Sequence, residues 1–426
     1  MGLTLLFGIF FFCLIAGVPI AFCLGIAATV VFFYEGLPLF IAFQRIVSGI
    51  SVFSFLAVPF FIFSGELMLQ GGIARRLVNL AAAAVGRLRG GLGVVNVVSS
   101  MLFGGISGSA VADTSALGSI LIPVMKDKGY DSDYAVNVTV TSSIAGVVIP
   151  PSHNMILYAI AAGGLPISQL FLAGIVPGIL MVLCLAIVAW AVAVKRGYPP
   201  GEFPGWTVLG ISFIVALPGL FTAVIIVGGV LSGIMTVTES GAFGAIYAII
   251  VTSLVYRELT WEKFVSAVLV SVRTTAMVMI LIACATAFAY LLTLYRVPDL
   301  LANFVVSISD SRIVILMLLN VTLLTLGMIM DMAALILITT PIFLPVVMDL
   351  GMDPVHFGIL MMMNLGLGLT TPPVGACLFV GCVVGGERME NVVKTIWPFY
   401  GAIFVALMFV TYFPVVSLGL GQWLGG

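Results

Sequence analysis

Two aspartates sit where so apolar a chain has little reason to hold a charge. Asp113 lies in GGISGSAVADTSALGS beside Ser107, Ser109, Thr114 and Ser115, and Asp331 lies in LGMIMDMAA. A carboxylate at mid-bilayer costs about 2.5–3.5 kcal/mol on insertion scales, so each needs a partner. Two proline pairs supply the rest of a site: Pro150-Pro151 in GVVIPPSHN and Pro372-Pro373 in LTTPPVG. Each pair removes backbone donors and frees carbonyls upstream. Carbonyl, hydroxyl and carboxylate oxygens together suit a small cation, and half-helix N-termini at such breaks suit an anion. Ser152 and Asn154 stand at the first break, Thr370 and Thr371 at the second. A plainer reading is also open, in which the aspartates cap helices and the small hydroxyl residues only pack.

Two histidines, His153 and His356, are the whole complement. His153 follows the double proline, where substrate contact, proton relay and a structural hydrogen bond are all open roles. His356 is read as interfacial. Glu66 and Glu239 lie near the ends of apolar runs and read as cap or interface residues.

These residues recur because the stretch holding them occurs twice. Adding 222 to Gly105, Pro123, Asp127, Gly129, Gly146, Pro150 and Pro151 lands on Gly327, Pro345, Asp349, Gly351, Gly368, Pro372 and Pro373. A gapless register on residues that set backbone shape marks an internal structural repeat.

The surrounding composition dictates the class. Hydrophobic residues make up 62% and charged residues 8% of 426, with a mean hydropathy of +1.30. The chain is therefore an all-α polytopic membrane protein, since backbone groups in lipid must pair within their own segment. A net charge of −1 offers no basic surface to nucleic acid. The six cysteines lack metal-ligand spacing except the CLFVGC pair, Cys377 and Cys382, which reads as small lipid- or helix-facing residues, and Met-rich LMMMNLG reads as helix packing. The first apolar run shows no small-residue cleavage signal and is expected to stay as membrane helix.

The expected order is two copies around a linker. Residues 1–196 form the first, with scaffold helices, an interfacial arm at 72–90, a re-entrant hairpin at 92–126 and a broken helix at 134–163. Residues 197–205, GYPPGEFPG, are the linker. Residues 206–426 form the second, with an arm at 261–273, a hairpin at 313–348 and a broken helix at 357–385. Residues 3–34 are one tilted crossing or a crossing with a short partial one, broken at Gly17-Val18-Pro19. In the hairpins the tips are expected at 104–119 and in MIMDMAA. Basic loops place Lys195-Arg196 inside and 295–312 outside, so an odd number of passes inverts the copies across the bilayer.

FGGISGSAVADTSALGSILIPVM, VVIPPSHNMILYA, GIMTVTESGAFG and LTTPPVG together resemble the large membrane subunit of tripartite ATP-independent periplasmic (TRAP) transporters, over essentially the whole chain. The resemblance implies an elevator-type secondary transporter in a bacterial or archaeal inner membrane. It implies Na+ as coupling ion, no other cofactor, and an organic acid delivered by a soluble periplasmic binding protein. It also implies a small four-helix membrane subunit, expected here as a separate polypeptide. Carried over by motif, Na+ is held by Ser107, Ser109, Pro150 and Asn154 and by Asp331, Thr370, Thr371 and Gly375. Substrate is assigned to Ser107, Gly108, Ser109, Asp113, Ser152, His153 and Asn154. No Arg lies in either tip or break, so helix N-termini and hydroxyls are expected to hold the carboxylate.

Three other readings compete. A stand-alone ion-coupled carboxylate carrier needs the same site and no binding protein. A rhomboid-like intramembrane protease fits Gly105-Ile106-Ser107-Gly108, but explains neither the duplication nor the proline pairs. A channel lacks a charge ring or filter repeat.

Overall fold

The computed structural model describes residues 1–300 and 311–425. It is all-helical. Among the described residues six helices are long and apolar enough to cross a membrane, and two pairs bent by 50° and 57° bring the number to eight.

The amino-terminal run settles into a hairpin rather than a tilted crossing. Helices α1 (Gly2–Ile15) and α2 (Ile20–Tyr34) turn at Gly17, whose φ is +80°. They run antiparallel, for Gly2 at one end meets Glu35 and Tyr295, and the Tyr295 hydroxyl donates to Glu35 at 2.8 Å. At 14 and 15 residues each is about 21–23 Å long, short of a hydrocarbon core of about 30 Å. The next element, α3 (Leu39–Ile50), had no sequence assignment. It buries only Ala42, and its Arg45 guanidinium sits 4.3 Å over the Tyr290 ring.

After a 3-10 turn at Phe53–Leu56 comes α4 (Ala57–Gln70), where Pro59 cannot donate to the preceding turn. The amphipathic α5 (Ile73–Val85) buries Ile73, Leu77, Leu80 and Ala81. Then α6 (Gly91–Ser107) and α7 (Ala110–Asp127) form the first hairpin. Its tip is far shorter than 104–119: only Gly108 and Ser109 lie outside helix. The Ser109 hydroxyl accepts from the Ala112 N–H, and the alanines that follow favour helix over loop. Next are α8 (Ser132–Ser142), α9 (Ala145–Val148) and α10 (His153–Ala161), with the proline pair between the last two. The long α11 (Ile167–Lys195) leads to the linker.

Two crossings follow, α12 (Trp206–Leu231) and α13 (Val237–Ile250), the latter opened by a capping box in which Glu239 accepts from the Thr236 N–H at 2.8 Å. The arm expected at 261–273 is no separate element. It is continuous with the crossing after it in α14 (Trp261–Leu294), whose 34 residues include no Gly or Pro to break it. Most of 295–312, expected on the outer surface, lies outside the described residues.

The remaining helices are α15 (Arg312–Gly327), α16 (Met332–Asp349), α17 (Pro354–Leu369), α18 (Ala376–Gly385), α19 (Met389–Thr395), α20 (Trp397–Tyr412) and α21 (Val415–Gly425). Helices α7 and α16 are offset by 222 at both ends, and α8 and α17 at their starts. The same offset carries α3 onto the start of α14, so the correspondence reaches beyond the hairpins.

Two groups of helices pack around this plan. Aromatic contacts hold α1 and α2 on the far half of α14, with Phe7 and Phe10 on Phe288 and Phe32 stacked on Tyr290. In the other group buried polar pairs tie each hairpin to its partner helix. Asn96 donates to Thr139 at 2.7 Å, Ser100 and Ser142 lie 2.7 Å apart, and Asn364 donates to Asn320 at 2.8 Å. Buried polar pairs of this kind fix register where apolar packing alone permits sliding. His356, expected at the interface, is buried, its Nδ1 2.6 Å from the Ser417 hydroxyl of α21. The first turn of α17 is covered by α21, which hydropathy could not show.

Candidate functional site

The two groups meet around a cavity of about 530 Å³. From the hairpin group it is lined by Ser107, Ser109, Ala110, Val111 and Ala112 at the first tip, by His153 and Asn154 at the first break, and by Asp331, Met332 and Ala333 at the second tip. From the other side come Ile62, Gly65, Glu66 and Leu69 of α4, which packs along α14, and Thr274, Met277 and Val278 of α14. Three helix N-termini, those of α7, α10 and α16, thus open on one space. Their first N–H groups have no intrahelical acceptor and carry the positive end of the helix dipole.

Each tip is locked in place from behind. Gly108 has φ +64° and backs onto the first break, where an added Cβ would lie 3.0 Å from the Pro151 carbonyl and 3.4 Å from the Ser152 Cα. On the other side, a Cβ on Gly65 of α4 would sit 3.4 Å from the Ser107 Cα. The second tip is tied to its break by the Val374 N–H, donated to the Met328 carbonyl at 3.2 Å.

The assigned residues divide into two sets. Ser107, Ser109, His153, Asn154 and Asp331 line the cavity. Gly108, Asp113, Pro150, Ser152, Thr370, Thr371 and Gly375 do not line it. Asp113 is fully buried; the Ser107 hydroxyl donates to one carboxylate oxygen, and the other has no hydrogen-bond partner. That carboxylate occupies the space a Cβ on Gly146 would fill. The Ser152 hydroxyl is likewise buried without a partner, and no hydrogen bond reaches the Pro150 or Pro151 carbonyl among the described residues. Unpartnered oxygens and a buried carboxylate, both packed against the residues of one tip, are what a small cation needs.

At the second tip Asp331 caps α16, accepting the Ala333 N–H at 3.0 Å, and solvent reaches it through the cavity. Thr370 and Thr371 donate their hydroxyls to the Leu367 carbonyl at 2.8 and 2.7 Å. Tyr400 donates to the Thr370 carbonyl, and Gly375 starts α18 at φ +45°. Sequence reasoning missed Glu66, which it read as a cap or interface residue. The one available signal was a lone acid on an apolar helix.

Residues 7–416 match the family model described as "Tripartite ATP-independent periplasmic transporter, DctM component". The chain belongs to this family. Among curated relatives, the uncharacterized protein YgiK of Salmonella typhimurium is 41% identical, over 98% of this chain and 96% of that protein. A C4-dicarboxylate TRAP transporter large permease protein, DctM, of Pseudomonas aeruginosa is 41% identical over 88% and 87%. The isethionate TRAP transporter permease protein DctMQ of Oleidesulfovibrio alaskensis is 38% identical over 98% of this chain and 66% of that protein. The solved YdaH transporter of Alcanivorax borkumensis shares the fold, with a TM-score of 0.64, 14% identity and coverage of 91% and 89%.

A TRAP large permease is a multi-pass membrane transporter subunit, not an enzyme. The protease reading falls with this assignment.

Proposed function

We propose that this chain carries an organic acid across a bacterial inner membrane, driven by Na+ and supplied by a periplasmic binding protein. One observation carries the reading: three helix N-termini converge on a cavity with no Lys or Arg in its lining. Such a site binds an anion through backbone N–H groups and dipoles, as helix termini do for carboxylates and phosphates. Relatives named for a C4-dicarboxylate and for isethionate agree with an acidic substrate.

Na+ is the second cargo. Asp113, Ser107, Ser152 and the Pro150 carbonyl would hold one ion behind the first tip, with Ser109 and Asn154 at its cavity side. Asp331, Thr370, Thr371 and Gly375 would hold another. Ions there would neutralise the two carboxylates and draw each tip against its break, coupling ion to substrate.

The two copies would lie inverted, with the hairpin group moving as a unit against a scaffold of α1–α4 and α12–α14. The polar pairs inside the hairpin group suit a rigid carrier. The small membrane subunit would pack on the scaffold; the DctMQ relative, of which this chain covers 66%, has length to spare for such a subunit.

The test is uptake of labelled acid into proteoliposomes with an imposed Na+ gradient, with and without the binding protein and the small subunit. Uptake is expected only with all components and the gradient. Uptake by this chain alone, indifferent to both partners, would establish a stand-alone carrier.

A further inference from the structure

Glu66 is the feature of the cavity that anion binding leaves unused. It projects from α4 into the same space as the three helix N-termini. Among the described residues it makes no hydrogen bond and no ion pair. The second cavity carboxylate, Asp331, differs: it caps α16 through the Ala333 N–H. Only His153 among the other lining residues can titrate, and it stands at the N-terminus of α10, where positive charge is disfavoured.

The cavity is therefore polarised. The hairpin group offers N–H donors, hydroxyls and one carboxylate, Asp331, already engaged by the Ala333 N–H, while the facing wall offers an unengaged carboxylate, Glu66, among Ile62, Leu69 and Met277. A substrate with its acid group on the helix N-termini brings its far end toward Glu66. A second acid group there would meet a like charge with no Lys or Arg in the lining to offset it, whereas a hydroxyl or ammonium group would donate to it. A carboxylate wall left without a donor is a device for rejecting the wrong ligand as much as for holding the right one.

We infer that Glu66 is a specificity-determining residue, selecting monoacids that carry a hydroxyl or ammonium group at the end remote from the acid and rejecting diacids of equal length. The inference rests on the carboxylate reading of the cavity.

The test uses the purified transporter complex and two length-matched pairs of acids: 4-hydroxybutyrate against succinate, and gluconate against glucarate. Within each pair only the remote group changes. Binding is measured by titration calorimetry for the wild type, Glu66→Gln and Glu66→Asn, all checked for unchanged elution as the assembled complex. The wild type is expected to prefer the remote hydroxyl at least tenfold in each pair that binds. Glu66→Gln should shift that ratio toward the diacid at least tenfold, since the amide keeps the shape, removes the charge and adds a donor. Glu66→Asn should shift it in the same direction. Unchanged ratios in both variants would overturn the inference. So would variants that alter only the Na+ dependence of binding, which would place Glu66 on a cation path. If none of the four acids binds the wild type, the carboxylate reading of the cavity falls and this inference falls with it.

Discussion

Gly327 and Gly368 touch backbone to backbone: a Cβ built on Gly368 would lie 2.6 Å from the Gly327 Cα. This contact presses the first arm of the second hairpin onto its broken helix. Gly104 and Gly146 do the same in the first copy, also at 2.6 Å. Gly368→Ala is therefore expected to cost about 1–3 kcal/mol, because the atoms it meets are backbone and cannot rotate away. Gly401, in α20 with open space around its Cβ position, is the control. Gly401→Ala should leave the melting temperature unchanged or raised, and Gly368→Ala should lower it. Equal melting temperatures for the two variants would mean that this close approach is not needed.

Asp331 has two separable roles, and two substitutions separate them. As cap of α16 it is worth about 1 kcal/mol, too little to unfold the protein when lost. Asp331→Asn keeps an acceptor for the Ala333 N–H but removes the charge; Asp331→Ala removes both. Both are expected to abolish Na+-dependent uptake, with only Asp331→Ala also losing thermal stability. Wild-type Na+ dependence in Asp331→Asn would remove this carboxylate from the ion site.

Much of this was legible in the chain. The proline pairs marked both breaks and the register of 222 the neighbourhood of both tips, because Gly and Pro act through the backbone and leave their mark whatever surrounds them. Glu66 was misread because hydropathy cannot tell a cavity wall from a membrane interface. His356 was misread for a related reason, since α21 covers it and that contact spans 61 residues. The first tip was drawn too long because Gly and Ser were counted as loop formers. One cap and a few alanines turn most of that stretch into helix. The amphipathic start of α14 suggests a separate arm, yet its lack of Gly and Pro lets one helix run through to Leu294.

The linker is held to the hairpin group by a polar clasp. The Tyr198 hydroxyl donates to Asp131 at 2.7 Å, while Arg196 bonds Asp131 at 2.9 Å and Asp133 at 2.8 Å. Burial, then the bond to Asp131, pushes the Tyr198 phenol up to about 12. A raised folded-state value favours the neutral phenol. Its contribution is complete below the unfolded value of about 10 and lost as pH rises to about 12. Melting temperature measured from pH 8 to 12 should fall more steeply above pH 10 in the wild type than in Tyr198→Phe. Parallel curves would show that the clasp is not governed by this proton.

Arg76 joins the arm helix to the loop before α14. It pairs with Glu258 at 2.7 Å, and its guanidinium lies 3.8 Å over the Tyr256 ring. With side chains 17% and 29% exposed, the pair is screened less than a surface bridge. Arg76→Ala and Glu258→Ala should each destabilise, and the double variant should lose less than their sum, a coupling of about 1 kcal/mol. Arg76→Ala is expected to be the worse single change because it also loses the ring contact. Strict additivity would mean that the bridge contributes nothing.

Elevator movement makes a demand on Gly65 and Ser107. The two backbones now touch across the boundary between the groups, with the Ser107 Cα 3.4 Å from a Gly65 Cβ position. That is within reach of a disulfide. If the hairpin group slides as a body, the tip must leave α4 during each cycle. In a background lacking the six native cysteines, Gly65→Cys with Ser107→Cys should crosslink readily in the state seen here. The yield should fall when Na+, substrate and binding protein drive the transporter to its other face. Because Ser107 is assigned to the ion site, the same yields are read with Ile106→Cys in place of Ser107→Cys; the Ile106 carbonyl also lies 3.4 Å from the Gly65 Cβ position. A second pair inside the hairpin group, Ser100→Cys with Ser142→Cys, whose native hydroxyls lie 2.7 Å apart, should crosslink equally in both conditions. If both pairs keep a constant yield, the hairpin group does not move past α4 and the site must open by local motion of its tips.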